Sequence, residues 1–267
     1  MKKNMKGKTA LVTGASSGLG MDFARQLAQR GCNLVLVARR EERLRELQAD
    51  ISSRYGVSVE YVTMDLAHPD APQRLYTQLT KAGRTIDILI NNAGQGLFGE
   101  FSVVPWESTQ QMLKVDIVAL THLTHLFLTG MLERRYGYIM LLSSIGAFQP
   151  TPTYAVYSAA KSYVLSFGEA LHYELRDTGV HCTVLCPGVT RTEFLQVAGQ
   201  QPTLYQRLSM MESDRTARIG LEAMLRGRSS IVAGWFSAMF AFTTRFLSRQ
   251  FLSRLAFLAM REPPARG

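Results

Sequence analysis

The sequence predicts an α/β protein built on a doubly wound parallel sheet. Three observations carry that expectation. Short β-branched and apolar runs recur along the chain, the longer segments between them carry apolar residues at helical spacing, and a glycine-rich turn joins the first run to the first helical pattern. The runs are TALVT (9–13), NLVLVA (33–38), VSVEYVTM (57–64), IDILI (86–90), YIMLLSS (138–144) and VHCTVLC (180–186). They are apolar nearly throughout, which means burial on both faces and hence parallel strands covered by helices on each side. The segments 18–30 and 41–54 supply the first two of those helices. In such a sheet ligands bind beyond the C-terminal ends of the strands.

With 267 residues and a hydrophobic fraction of 46%, the chain suits one domain, 1–267. Its core is expected over about 6–195, followed by a substrate loop and a helical, apolar C-terminal extension over about 193–267. The net charge of +9 raises the question of a polyanionic partner. No run of five like charges and no aromatic-interleaved basic patch occurs, so nucleic-acid binding is not expected. The basic residues read as solvated surface, some of them serving a phosphorylated small molecule. Cys32, Cys182 and Cys186 are widely spaced, and Cys182 and Cys186 share a strand face as small core residues. Reduced thiols in a cytoplasmic protein are the natural expectation. The basic start has only a short apolar stretch before Gly14, so a signal peptide is not expected. The uncharged run 229–244 is shorter than the roughly 20 residues of a spanning helix.

The first strand runs into TGASSGLG, with Gly14, Gly18 and Gly20. Glycines let the backbone turn sharply and approach a pyrophosphate, which then rests on the amide groups of the helix N-terminus. The spacing G-x-x-x-G-x-G is neither the usual dinucleotide fingerprint nor a Walker A loop, because no Gly-Lys-Ser/Thr follows. Ser16, Ser17 and Leu19 fill the same turn. The second strand ends in Arg39 and Arg40, where a carboxylate would bind a ribose 2′-hydroxyl and arginine suits a 2′-phosphate; this points to NADP(H). Glu41 and Glu42 stand just inside the next helix and also suit its dipole.

YAVYSAAKS (154–162) places Tyr157 and Lys161 four apart on a helix, side by side, whereas Tyr154 is seven from Lys161. A nearby ammonium group brings a phenol down from its usual pKa of about 10. Tyr154 is expected near the pocket mouth, touching substrate or packing. Ser144 lies 13 residues before Tyr157 at a strand end, and alternation would turn its neighbour Ser143 to the other face. Carbonyl reduction needs a proton donor and a polar group holding the oxygen, which Tyr157 and Ser144 supply.

Taken in order, TGASSGLG, Asp65-Leu66, NNAG (91–94), Ser144, the Tyr157/Lys161 pair and PGVTRT (187–192) resemble the classical short-chain dehydrogenase/reductases over about residues 6–195. That resemblance implies a Rossmann-type hydride-transfer enzyme with a nicotinamide cofactor, acting as a homodimer or homotetramer. Tyr157 would be the general acid/base, with Lys161 holding the nicotinamide ribose and lowering the Tyr157 pKa. Ser144 would bond the substrate oxygen and Asp65 would meet the adenine beside Leu66. Asn92, Ala93 and Gly94 would line the cofactor cleft, and Pro187, Gly188, Thr190 and Thr192 would cover the nicotinamide. One departure stands out: in KVDIVALT, Asp116 occupies the place of the family's usual asparagine. Asp116 keeps acceptor capacity without an amide donor, and is carried as a relay candidate beside Lys161.

His122 and His125 sit three apart in an apolar helical stretch and read as core or interface packing; no metal site is expected. In the tail, Trp235, Met239, Phe242 and Phe246 recur at helical spacing with Arg245 and Arg249 off that stripe. A core helix or oligomer contact, a lid over an apolar pocket, and a basic amphipathic element on a membrane surface (235–260) all fit this pattern. The expected activity is NADP(H)-dependent interconversion of an alcohol and a lipophilic ketone or aldehyde. A non-catalytic dinucleotide-binding redox sensor and a membrane-docked interaction protein are the alternatives from other classes; the intact Ser144, Tyr157 and Lys161 speak against the first.

Overall fold

The computed structural model describes residues 5–260, so the last part of the expected 193–267 region lies outside the described residues. The first half alternates strand and helix: β1 (Thr9–Thr13), α1 (Gly18–Ala28), β2 (Asn33–Ala38), α2 (Glu41–Tyr55), β3 (Val59–Thr63), α3 (Ala71–Lys81) and β4 (Ile88–Asn91). A long helix follows as α4 (Trp106–Leu113), a π-helical turn (Lys114–Ala119) and α5 (Leu120–Glu133), then β5 (Gly137–Leu142), α6 (Ala155–Glu174) and β6 (Val180–Cys186). The remainder holds β7 (Thr190–Arg191), α7 (Phe194–Ala198), α8 (Leu204–Ser209), β8 (Met211–Glu212), α9 (Ser213–Leu225), β9 (Ser230–Val232), α10 (Trp235–Thr243) and α11 (Arg249–Met260).

Seven strands form one sheet in the order β3-β2-β1-β4-β5-β6-β9, every pair parallel. The strand period of two divides its side chains between two cores. Ala10, Val12, Leu34, Leu36, Ile88 and Ile90 pack with Phe23, Leu27, Leu44 and Leu221 on the face covered by α1, α2 and α9. Leu11, Val35, Val37, Leu89, Ile139 and Leu141 pack with Leu75, Leu123, Phe127 and Val164 on the face covered by α3, α5 and α6. The doubly wound architecture is therefore present. Its strand order reverses between β1 and β4, and the crevice for a ligand opens there.

Several boundaries differ from the sequence expectation. The expected strand 57–64 is trimmed to Val59–Thr63, and the expected 138–144 ends at Leu142, which leaves Ser143 and Ser144 in the turn beyond it. The edge strand β9 and the β7·β8 pair are too short to leave a periodic signal. The stretch Trp106–Glu133 is long and apolar enough to cross a bilayer by length and composition, with mean hydropathy 1.4, which the expectation did not foresee. In the fold it lies beside the sheet and buries Thr109, Met112, Asp116, Leu120, Leu123 and Phe127. On this helix His122 is half-buried and His125 exposed, so His125 is not a core residue. Among the described residues no group of three or more His, Cys, Asp and Glu side chains comes together. All three cysteines are free and buried.

Candidate active site

One cleft of about 620 Å³ opens at the C-terminal ends of β1, β2, β4, β5 and β6. Every site residue expected from the sequence lines it except Gly20 and Asp116, which stand behind its wall. Arg39, Arg40, Asp65 and Leu66 lie at one end; Ser144, Tyr157 and Lys161 lie at the other.

The glycine turn is built by close backbone approach. Gly14 and Gly18 have φ of +66° and +51°, a region L side chains seldom adopt. A Cβ on Gly14 would stand 2.8 Å from Asn92 Nδ2, and one on Gly20 would strike the Gly14 carbonyl oxygen. Thr13, at the end of β1, fastens this turn to the loop after β4. Its Oγ1 donates to the Ile90 carbonyl (3.3 Å) and accepts from the Asn92 and Ala93 amides (3.0 and 2.9 Å). Asn92 Nδ2 in turn donates to the Thr13 carbonyl at 2.9 Å and the Gly14 carbonyl at 3.3 Å. Glycines at this turn thus serve the protein's own packing as well as any phosphate. With the α1 N-terminus and the backbone of Ser16–Leu19 facing the cleft, the cradle fits a pyrophosphate.

Arg40 reaches back over the turn, its Nε donating to Ser16 Oγ at 3.2 Å. It also pairs with Glu193 at 2.8 Å, as does Arg43 at 2.6 Å. These two guanidinium groups hold the Glu193 carboxyl below its usual range. Arg39 is exposed at the cleft rim and has no acidic partner among the described residues.

At the other end, α6 presents Tyr157 and Lys161 on one face. Lys161 Nζ lies 5.6 Å from the Tyr157 ring centre, donates to the Leu142 carbonyl at 3.1 Å, and pairs with Asp116 at 2.9 Å. The π-helical turn carries Asp116, fully buried, inward to this contact, and its other oxygen accepts from the Gln95 amide at 3.0 Å. Burial pushes the Asp116 carboxyl up against the pull of Lys161. Burial draws the Lys161 ammonium down, but Asp116 and Tyr157 more than offset it and hold Lys161 above its usual value. For Tyr157 the expected lowering is overturned: burial pushes the phenol above its usual 10, outweighing Lys161 and a hydrogen bond from Ser144.

Ser144 is extended, with its hydroxyl toward the cleft and accepting from the Gly146 amide at 3.1 Å. Ser143 turns away as alternation predicts, and its hydroxyl donates to the Lys161 carbonyl at 2.7 Å. Tyr154 lines the cleft and packs there, within the range expected of it. It is buried at the start of α6, its ring against Phe98 and Tyr157 and its hydroxyl donating to Gln200 at 2.8 Å. Beyond Ser144, Tyr157 and Lys161 the wall is apolar, with Phe194, Leu195, Val197, Phe240, Leu255 and Met260. The Phe194 ring lies 5.4 Å from that of Tyr157, tilted by 53°, and packs on Gly96.

A family model described as short chain dehydrogenase matches residues 8–203. The chain belongs to the short chain dehydrogenase family. A very-long-chain 3-oxoacyl-CoA reductase of Phaeosphaeria nodorum is 37% identical over 180 residues, 66% of this chain and 53% of that protein. The chain therefore spans about half the length of that curated relative. A short-chain dehydrogenase from Sphingobium yanoikuyae, solved in complex with NADPH, has a TM-score of 0.80 at 30% identity, covering 97% of this chain and 98% of that one. The bulky-bulky ketone specific alcohol dehydrogenase from Comamonas testosteroni has a TM-score of 0.77 at 26% identity, covering 97% and 96%.

Sequence reasoning missed Thr13, Glu193, Phe194 and Gln200. Thr13 had a readable signal, a hydroxyl at the end of a buried strand and at the head of the glycine turn. Gln149, whose buried Oε1 has no hydrogen-bond partner among the described residues, also lines the cleft and had no such signal.

Proposed function

We propose that the protein reduces a bulky, lipophilic ketone or aldehyde with NADPH, using Tyr157 as the proton donor. The observation that carries this reading is the convergence of Ser144, Tyr157 and Lys161 at the junction between the phosphate cradle and an apolar wall. The cradle of Gly14–Gly20 and Asn92–Gly94 would hold the dinucleotide, with Arg39 and Arg40 toward a 2′-phosphate and Tyr157 and Lys161 toward the nicotinamide ribose. Bound there, the reduced nicotinamide supplies a hydride.

The residues of this chain do the rest. The Ser144 hydroxyl donates to the carbonyl oxygen and fixes its position. As that oxygen gains negative charge, the Tyr157 phenol gives up its proton. Held above 10 by burial, the phenol is protonated at neutral pH, as a donor must be. Lys161, anchored by Asp116 and the Leu142 carbonyl, places its ammonium beside the phenolate left behind. Phe194, Phe240 and Met260 exclude water and favour a large apolar group on the carbonyl carbon.

The NADPH complex of the Sphingobium relative supports the cofactor, and the names of the Phaeosphaeria and Comamonas relatives support a large carbonyl substrate. Consumption of NADPH and of NADH against a panel of lipophilic ketones tests the reading. NADPH is expected to be preferred, and Tyr157→Phe to lose about a thousandfold in turnover. Wild-type turnover in that variant would overturn the mechanism, and a preference for NADH would overturn the cofactor assignment.

A further inference from the structure

Among the described residues, ten of the eighteen large apolar side chains that are exposed fall within residues 235–258. They are organised by helix. On α10 and the turn after it, Trp235, Met239, Phe242 and Phe246 form one outward line, 77%, 50%, 56% and 74% exposed, while Ser237 and Ala241 face inward. The core-helix reading of that stripe therefore fails, since the stripe is the exposed face. On α11, Phe251, Leu255 and Leu258 repeat the outward line, while Leu252 and Ala256 are buried opposite. Arg245, Arg249 and Arg254 are exposed among these rings, and none has an ion-pair partner among the described residues. No acidic residue occurs between 235 and 260. Contiguous apolar surface of this kind, interleaved with cations, marks a docking face.

The geometry points to an anionic lipid surface as the occupant, with α10 and α11 lying in the headgroup region rather than spanning the bilayer. Helices with an aromatic face and basic flanks bind there through buried apolar area plus attraction to anionic lipid. A second copy docked on this face by a two-fold axis would set arginines against arginines with no carboxylate between them. The pattern matches a surface that is apolar below and negative above.

The same two helices wall the substrate end of the cleft. Phe240, Ala256, Ala259 and Met260 line it, and Leu255 lies on both the cleft and the outer face. The cleft mouth thus opens at the docking face, and a lipophilic carbonyl compound dissolved in the bilayer reaches Tyr157 without crossing water. This route rests on the proposed reductase activity; the docking does not.

Sedimentation of the full chain with phosphatidylcholine–phosphatidylglycerol vesicles tests the docking without requiring turnover, so its failure leaves the proposed reaction standing. The protein is expected to pellet with these vesicles and to stay in solution with pure phosphatidylcholine. Arg245→Gln, Arg249→Gln and Arg254→Gln combined are expected to weaken binding roughly a hundredfold, at about fivefold per cation. Phe242→Ser, Phe246→Ser and Phe251→Ser combined are expected to abolish it, with an unchanged melting temperature showing that the fold survives. Soluble wild-type protein in the presence of anionic vesicles would overturn the proposal. So would equal pelleting of the serine variant, or a concentration-dependent dimer that the serine variant dissociates.

Discussion

The two ends of the cleft are made in different ways. At the cofactor end, backbone meets backbone: Thr13 and Asn92 stitch β1 to the loop after β4, and the glycine turn has no room for a Cβ on Gly14 or Gly20. At the substrate end, the wall is a set of short helices joined through side chains. Gln200 Oε1 accepts from both Tyr154 and Gln206 at 2.8 Å, and its Nε2 donates to the Met260 carbonyl at 3.5 Å. Geometry built from close backbone contacts absorbs almost no change, whereas a wall of interlocking side chains can be resized one residue at a time. The first arrangement suits a ligand that is always the same, and the second suits a pocket tuned to a particular substrate.

The strongest test lies at the junction of the two ends. Lys161→Met removes the cation beside the phenol and leaves Asp116 buried without its counter-charge, held only by the Gln95 amide. Turnover is expected to fall about a thousandfold or more, and unfolding free energy by about 3 kcal/mol. Adding Asp116→Leu is expected to restore much of the stability and none of the turnover, which chemical denaturation and steady-state rates separate. Asp116→Asn gives the milder form. Because the Lys161 pKa is raised in the fold, its stabilising contribution is complete below its ordinary value of 10.5 and lost only as pH rises through the raised value. With the carboxylate gone, the largest pull opposing burial is lost and that of Tyr157 remains, so the alkaline loss of stability is expected to start at lower pH. A denaturation series through 10.5 that superposes on wild type would show that Asp116 does not hold Lys161.

Next in size is Gly20→Ala. The new methyl strikes the Gly14 carbonyl, so the turn must shift and Asn92 with it. A loss of about 2 kcal/mol in stability is expected, together with loss of cofactor binding by fluorescence titration. Stability and cofactor affinity should fall in step here. Retained affinity in a destabilised variant would mean that the cradle is not one rigid unit.

The contrast between the two ends also explains what the sequence revealed. Apolar runs such as NLVLVA announce buried parallel strands because both faces must be covered, and TGASSGLG announces a tight turn because of where glycines are required. Tyr157, Lys161 and Ser144 were legible through their spacing on a single helix and strand end. Phe194, Gln200 and Met260 were not, because each gains its place from packing across the fold and carries no local pattern. The direction of the Tyr157 shift was hidden for a similar reason. Spacing reveals that Lys161 is near, but the burial that outweighs it comes from the surrounding fold. The π-helical turn that delivers Asp116 left no readable mark in KVDIVALT.

Phe194→Ala tests the substrate end by itself. The ring packs against Tyr157 at a tilt and fills the space over Gly96, and it makes none of the contacts that shape the glycine turn. KM for a bulky ketone is expected to rise about tenfold or more, with cofactor affinity unchanged. A comparable loss of NADPH affinity would erase the distinction between the two ends.

The smallest effect is expected where the two ends touch. Glu193, at the start of the substrate wall, ties down Arg40 and Arg43, so an internal carboxylate occupies Arg40, one of the two cations proposed for the 2′-phosphate. Its lowered pKa means the tie is present above the ordinary 4.5 and lost only as pH falls through the depressed value, so it is intact at neutral pH. Glu193→Gln removes the competing charge. All three groups are more than a third exposed, so the gain is modest: NADPH is expected to bind two- to fivefold more tightly, the range of a screened surface pair. NADH affinity is expected to stay the same, and the NADPH gain to fade with added salt. Equal tightening of both cofactors would mean that the substitution merely opens the loop. Weaker NADPH binding would mean that Glu193 positions Arg40 for the phosphate instead of competing with it.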